Sequence, residues 1–365
     1  MNSFVRPTGN PDSLIWLLCE TPLEKDTEKG FLYSSSLGGI MMKMIQEAGI
    51  KDIFYLAKHP DLEIKGVTVD YKASLNIKKP PLIISVGSIG PELLSELKVD
   101  GNRSEENLLN KYVGSLLQSR DLKYPHYVMP LYTPMYYTQH WDERNVSRFF
   151  DLQKLREEYN FYKSNLKIQP LKERKLIYED LPLDKLLTYL HWLSQFSMLS
   201  VDIETIYPRD KSEFINIHPG VPITIGIAPS SKWGISFSLF RDSIIETVIL
   251  WRELNRLLSN PKIQILGQNF FGFDIHFLRA LGFDISENQV IDTMIRHHIL
   301  WPELSHKLQF MTRQYTREPF YKDEGQGWSP KDMSKLRRYN CLDVTVTYEV
   351  WEQQEEEFQD RRMLA

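Results

Sequence analysis

Strand-length runs that are apolar almost throughout recur along this chain, and they limit its fold more than any other feature. Residues 13–19 (SLIWLLC), 81–86 (PLIISV) and 198–203 (MLSVDI) show little polar alternation. A strand with one wet face alternates every second residue, so runs like these read as strands buried on both faces, beneath helices. Residues 38–48 are helical in pattern and stop at Gly49, residues 91–97 read as a short helix, and 145–163 are charged with a helical period. Further strands are expected at 52–56 (DIFYL) and 126–131 (HYVMPL). Strands alternating with helices predict an α/β class with a parallel sheet in this first half, built as three α/β/α layers.

The second half repeats the class with a different order. A helix over 184–196 precedes the strand at 198–203, and residues 222–228 and 233–239 follow as an antiparallel pair. An amphipathic helix over 244–258, a strand at 263–267 and a helix over 271–281 come next, and 331–338 leads into a long helix from 339 to 358. This predicts a mixed sheet. The chain has 365 residues, and single cores rarely keep growing beyond about 250 residues. Two domains are therefore expected, 1–160 and 184–365, joined by a linker over 161–183 where Lys, Glu, Pro and Asn mix without periodicity.

Charge and cysteine content narrow the function classes. The net charge is −4, so no overall basic field advertises nucleic-acid binding, although local Lys/Arg patches still suffice to hold a phosphate backbone. Two cysteines, Cys19 and Cys341, rule out a four-cysteine zinc site or an iron–sulfur cluster within the chain and suit a reducing cytoplasmic setting. No signal peptide is visible, and no apolar run approaches the roughly 18 residues of a membrane helix, so no membrane partner is expected.

Three distant segments carry candidate chemistry. In Ser200-Val201-Asp202-Ile203-Glu204-Thr205, residues two apart share a strand face, so Asp202 and Glu204 project together from a buried strand. In Gly267-Gln268-Asn269-Phe270-Phe271-Gly272-Phe273-Asp274, a strand ends at the glycine and Asp274 lies on the first turns of the following helix. In Tyr339-Asn340-Cys341-Leu342-Asp343, positions i and i+4 of a helix set Tyr339 and Asp343 on one side. Each segment alone is commonplace; D-x-E pairs usually sit solvated on a surface. Their conjunction is not, because an acidic pair in an apolar strand is costly unless cations compensate it.

These segments resemble the three exonuclease motifs of the DEDDy proofreading exonucleases, most closely those of bacteriophage family A DNA polymerases. Ile291-Asp292-Thr293, Arg296-His297-His298, Pro302-Glu303-Leu304, His306-Lys307-Leu308, Tyr315-Thr316 and Pro319-Phe320-Tyr321-Lys322 are similar to the stretch that connects the second and third motifs. The likeness runs from about 185 to 357. It implies a ribonuclease H-like (DnaQ-like) domain that removes nucleoside 5′-monophosphates from single-stranded or frayed 3′ DNA ends with two Mg²⁺ or Mn²⁺ ions. On that reading Asp202, Glu204, Asp274 and Asp343 are the metal ligands: Asp202 bridges, Glu204 and Asp343 hold the ion nearest the attacking water, and Asp274 acts on the second through water. Tyr339 orients the attacking water. Thr205, Asn269, Phe270 and Phe273 are candidates to touch substrate. Asn269 holds the strand end or only caps a turn, and the phenylalanines stack on a base or pack in the core. Asp292 supports the site or caps a helix. His297, His298 and His306 fit no zinc spacing and read as a polar network.

The first half resembles the family-4 type of uracil-DNA glycosylase over about 11–157. The likeness rests on Cys19-Glu20-Thr21-Pro22, Gly38-Gly39 opening a helix, Ser85-Val86-Gly87 after a strand, and Pro130-Leu131-Tyr132-Thr133-Pro134. Ser34 stands where that family stacks a Phe on uracil, no uracil-reading Asn has a counterpart near Tyr55-Leu56, and Thr133 replaces the family's His. The likeness therefore implies a glycosylase-like module without glycosylase chemistry, structural or DNA-positioning. Some phage family A polymerases pair such a module with an exonuclease. This chain ends after the exonuclease helix, which is read as a separate subunit of a DNA polymerase or a truncated form of one, acting in the host cytoplasm if phage-encoded. An RNA 3′-end exonuclease and a non-catalytic polymerase scaffold are the alternatives.

Overall fold

A computed structural model describes residues 5–19, 24–30, 32–57, 63–64, 67–68, 71–87, 89, 105–118, 126–206, 220–325, 328–329 and 332–364. The chain divides into two compact units, Met1–Leu171 and Lys172–Ala365. The expected helix over 91–97 lies outside the described residues.

In the first unit, β1 (Ile15–Cys19), β2 (Ile53–Ala57), β3 (Leu82–Val86), β4 (Leu117–Gln118) and β5 (Tyr127–Leu131) form one sheet in the order β2-β1-β3-β5-β4. The absence of alternation in the sequence has its cause in two cores. Ile15, Leu17, Ile84 and Met129 point into one, with Met41 and Ile45 of the helix Gly38–Glu47 and Leu152 and Leu155 of the helix Leu152–Asn165. Trp16, Leu18, Ile83 and Val128 point into the other, beneath Tyr71 and Leu75 of the helix Tyr71–Lys78. The sheet is parallel as expected across β2, β1, β3 and β5, but the short edge strand β4 pairs antiparallel with β5, so the sheet is mixed. A two-residue strand carries no periodicity, which is why the sequence hid it.

The second unit holds a six-stranded mixed sheet. Its strands are β6 (Lys175–Ile177), β7 (Met198–Ile206), β8 (Val221–Ser230), β9 (Trp233–Ser238), β10 (Gln264–Gly267) and β11 (Val290–Asp292), in the order β11-β10-β7-β8-β9-β6. The expected antiparallel pair is β8 and β9, while β10 runs parallel to β7. The stretch 161–183 is not all linker. It contains the end of the helix Leu152–Asn165 and the edge strand β6, which pairs parallel with β9.

β7 divides its faces by function. Leu199, Val201 and Ile203 enter a core with Leu186 and Leu190 of α1 (Leu183–Leu193), Leu250 and Leu254 of α2 (Ile244–Leu258), and Ile275 and Leu278 of α3 (Asp274–Ala280). The alternate face carries Ser200, Asp202 and Glu204. Over it lies α4 (Ser334–Leu364), longer than expected because Asp332 Oδ1 accepts from the Ser334 N–H at 3.0 Å and Oγ at 2.6 Å and starts the helix early. Residues 340–347 of α4 are buried on every side, which offsets the poor helix propensity of Val344, Thr345, Val346 and Thr347. Glycines let it dock: a Cβ on Gly226 would lie 2.9 Å from the Asn340 carbonyl oxygen, and one on Gly234 3.1 Å from that of Cys341. Cys19 and Cys341 are both buried free thiols. No helix among the described residues is long and apolar enough to cross a membrane.

Candidate active site

Asp202, Glu204 and Asp343 each offer an oxygen, and these oxygens lie within 4.8 Å of one another. Two come from β7 and one from α4, segments 139 residues apart between Asp343 and Glu204 (343 − 204). The register places Asp202 opposite Gly226, and the helix crosses at that pair. Asn340 clamps it: its Nδ2 donates to Asp202 Oδ2 at 2.7 Å and to the Asp202 carbonyl at 3.2 Å, while its Oδ1 accepts from Ser236 Oγ at 2.7 Å. The β7–β8 register shifts between Pro222 and Thr224, opposite Thr205 and Glu204. Such a bulge re-aims side chains at the end of a strand.

Asp274 is not part of this tight group. It opens α3, is buried, and its Oδ1 accepts from the Ile203 N–H at 3.0 Å. That bond ties it to the strand residue between Asp202 and Glu204, close enough for the charge of Asp202 to raise its pKa after burial has done so.

Like charges this close resist joint ionisation. Burial first, then Asp343, pushes the Asp202 carboxyl up to about 7. Burial, then Asp202 and Asp343, pushes Glu204 up to about 9. Lys322 opposes both shifts. Its Nζ donates to Asp343 Oδ2 at 2.7 Å and Oδ1 at 2.9 Å and to the Tyr339 hydroxyl at 2.6 Å. The buried Tyr321 hydroxyl donates to Asp343 Oδ1 at 2.6 Å. Burial, then the charges of Asp343, Glu204 and Asp202, holds the Tyr339 hydroxyl far above a tyrosine's ordinary value. Tyr339 therefore keeps its proton at neutral pH and is suited to orienting a water rather than abstracting a proton. Hard carboxylate oxygens, strained by unneutralised charge and already drawing in an ammonium, are a donor set suited to Mg²⁺ or Mn²⁺.

A cavity of about 540 Å³ is lined among others by Gln268, Asn269, Met294, His306, Lys307 and Lys322, the last being the residue that also bonds Asp343. Asn269 is exposed and left-handed, with φ of +57°, a conformation Asn tolerates better than most residues. Of the two readings of Asp292, the helix cap is the one seen. Its Oδ1 accepts from the Asn269 and Met294 N–H groups at 2.9 Å each, and its Oδ2 from Phe271 at 3.2 Å, so it caps the helix Thr293–Leu300 and fixes the Asn269 loop together. His297, His306 and His298 form a hydrogen-bonded chain that ends on Gln314. A larger hollow of about 710 Å³ along 282–287 contains none of the candidate residues.

The aromatic candidates divide. Phe270 is fully buried, and a Cβ on Gly267 would lie 2.4 Å from its ring, so it packs in the core and has no face for a base. Phe273 is half-buried and its ring lies 4.7 Å from that of Phe277. Thr205 is half-buried, just past Glu204 on β7. Asn340, Tyr321 and Lys322 were not assigned roles from sequence. A polar Asn in the buried run of α4 was the available signal for the first; the other two depend on a loop docking onto Tyr339, which no local pattern encodes.

Residues 222–359 match the family model described as 3′-5′ exonuclease. The second unit carries a 3′-5′ exonuclease domain. The match contains Asp274, Tyr339 and Asp343, with Asp202 and Glu204 just ahead of it. Exonuclease domains of this type use divalent metal ions. No curated protein sequence matches the chain. Among solved structures, the catalytic core of RRP6 from Trypanosoma brucei is 14% identical with a TM-score of 0.37, covering 55% of this chain and 56% of that one. The Nibbler EXO domain of Aedes aegypti is 15% identical at 0.39, covering 52% and 89%. RNase D of Escherichia coli is 16% identical at 0.38, covering 50% and 46%. The chain thus spans about half the length of the RRP6 and RNase D structures.

Proposed function

We propose that the exonuclease domain hydrolyses the terminal phosphodiester at single-stranded 3′ ends of DNA and releases nucleoside 5′-monophosphates. The observation that carries this is the meeting of Asp202, Glu204 and Asp343 within 4.8 Å beside Tyr339. Those three side chains would hold Mg²⁺ or Mn²⁺ directly, and Asp274, set back on the Ile203 N–H, would act on a second ion through water. Bound there, the ions would polarise the phosphate and make its attacking water more acidic. The chain's own work is positional. Asn340 fixes the Asp202 carboxylate, Asp292 fixes the loop that carries Asn269 beside the cavity, and the protonated Tyr339 offers its hydroxyl to the attacking water. Asn269, which lines the cavity, and Thr205, next to Glu204 on β7, would meet the strand end; Phe270 is withdrawn from that role by its burial.

DNA rather than RNA rests on the phage-polymerase-like segment over 291–322, and from it follows a proofreading role beside a family A polymerase. The first unit is proposed as a glycosylase-like module without uracil chemistry. Its four parallel strands suit that reading, and Thr133, where a glycosylase of this type has His, only caps a helix by accepting from the Tyr136 N–H at 3.3 Å. The test is a 5′-labelled oligonucleotide, as DNA and as RNA in parallel, with Mg²⁺ or Mn²⁺. A ladder shortened from the 3′ end on DNA, abolished by Asp202→Ala with Glu204→Ala, is expected. Undiminished degradation by the double variant would overturn the site; preference for RNA would overturn the substrate.

A further inference from the structure

Lys322 sits where a cation would have to act. Its ammonium bridges both oxygens of Asp343 and also donates to Tyr339. A side chain that takes both oxygens of a carboxylate competes directly with a metal ion for them. Ammonium and dication cannot share the same pair of oxygens, since like charges at such separations repel strongly in a partly dry site. The two partners also differ in freedom. The Asp343 side chain is 5% exposed on a helix buried all round, while that of Lys322 is 26% exposed on a flexible stem at the start of the short turn Lys322–Gly325. Asp343 also accepts from the Tyr321 hydroxyl, a bond in which Lys322 takes no part. Lys322 also lines the cavity of about 540 Å³, so one side chain touches both that cavity and Asp343.

We propose that Lys322 is an exchangeable counter-ion. It neutralises Asp343 while the site lacks a divalent cation, leaves Asp343 when one binds, and then holds a phosphate oxygen of the substrate strand in that cavity. This rests on the reading of Asp202, Glu204 and Asp343 as a cation site. It gives one residue two successive partners of the same chemistry, a carboxylate and then a phosphate. Without Lys322 the emptied site would lose the ammonium that opposes the raised pKa values of Asp202 and Glu204; with it, the strand's own charge finds a partner once the metal has taken the first.

The experiment is a Mn²⁺ titration of the full chain by calorimetry, with melting temperatures with and without saturating Mn²⁺, for the unsubstituted protein, Lys322→Met and Lys322→Arg. Lys322→Met is expected to bind Mn²⁺ about tenfold more tightly, because the competitor for Asp343 is gone. It should melt lower than the parent without Mn²⁺ and alongside it with Mn²⁺, and turn over about tenfold more slowly at saturating Mn²⁺. Lys322→Arg should restore the parent's melting without Mn²⁺ and its weaker Mn²⁺ binding. Equal or weaker Mn²⁺ binding by Lys322→Met would overturn the proposal, since a merely structural ion pair predicts that result. Should that variant fail to fold, the acetylation rate of Lys322 in the parent decides: faster with Mn²⁺ supports release, unchanged or slower refutes it. Failure of the parent to bind Mn²⁺ would overturn the cation site itself, and the proposal with it.

Discussion

Replacing Gly226 by Ala tests whether the docking of the long helix on the sheet sets the geometry of the carboxylates. The new Cβ would lie 2.7 Å from Asn340 Oδ1, 2.9 Å from the Asn340 carbonyl oxygen and 3.0 Å from its Cγ. Ordinary contact begins near 3.4 Å, so the helix backbone must retreat by about 0.5 Å (3.4 − 2.9) and the amide by about 0.7 Å (3.4 − 2.7). The amide has little room to turn, because it is held by Ser236 Oγ and Asp202 Oδ2 at 2.7 Å each. Overpacking of this kind costs about 1–3 kcal/mol, which for a unit near 190 residues lowers the melting temperature by about 2–12 °C. Asp343 rides on the same helix, three residues on, and a shift approaching 1 Å in a reacting group costs up to about a hundredfold in rate. Melting by circular dichroism and turnover on a single-stranded oligonucleotide should therefore fall together. A variant with parental melting and turnover would show that the close approach at Gly226 does not position Asp343, and would refute the reasoning.

The folded-state pKa values of Asp202, about 7, and Glu204, about 9, lie above the unfolded ones of 3.8 and 4.5, so the folded protein holds these protons more tightly. Their stabilising contribution is full below about pH 4 and is lost as pH rises through 7 to 9; the metal-free protein should melt lower at pH 9 than at pH 5, and added Mn²⁺ should raise melting more at the higher pH. Asp292→Ala strands three backbone N–H groups and should cost about 2–4 kcal/mol in denaturant unfolding; a cost below 1 kcal/mol would contradict its place as a shared anchor. Tyr339→Phe removes a hydroxyl but no carboxylate, so Mn²⁺ affinity measured by calorimetry should change little while turnover drops about ten- to a hundredfold.

The sequence carried the site further than it carried its surroundings. Asp202 and Glu204 share a face because a strand repeats every two residues, and Tyr339 and Asp343 because a helix nearly repeats every four; both are local rules that need no tertiary knowledge. Asp274 lies in the first turn of its helix, which starts at 274 rather than at the expected 271, yet its distance from the tight group depends on the bond to the Ile203 N–H, which only the packed sheet reveals. Phe270 and Phe273 look alike in sequence; Gly267 beneath one ring decides that Phe270 is core. Lys322 reaches Asp343 across 21 residues through a loop laid on Tyr339, and β6 pairs at the sheet edge from a Lys/Glu-rich stretch that reads as linker. Approach distances and edge pairing arise from the whole fold, and no window of residues encodes them.

The central claim is that Asp202, Glu204 and Asp343 together grip a divalent cation. Crystals of the protein grown or soaked with Mn²⁺, measured for anomalous scattering at the manganese edge, address it directly. A peak in contact with oxygens of all three side chains is expected, with Lys322 turned away from Asp343. Crystals in which the three carboxylates bind no manganese, with the ion absent or bound elsewhere, would contradict it.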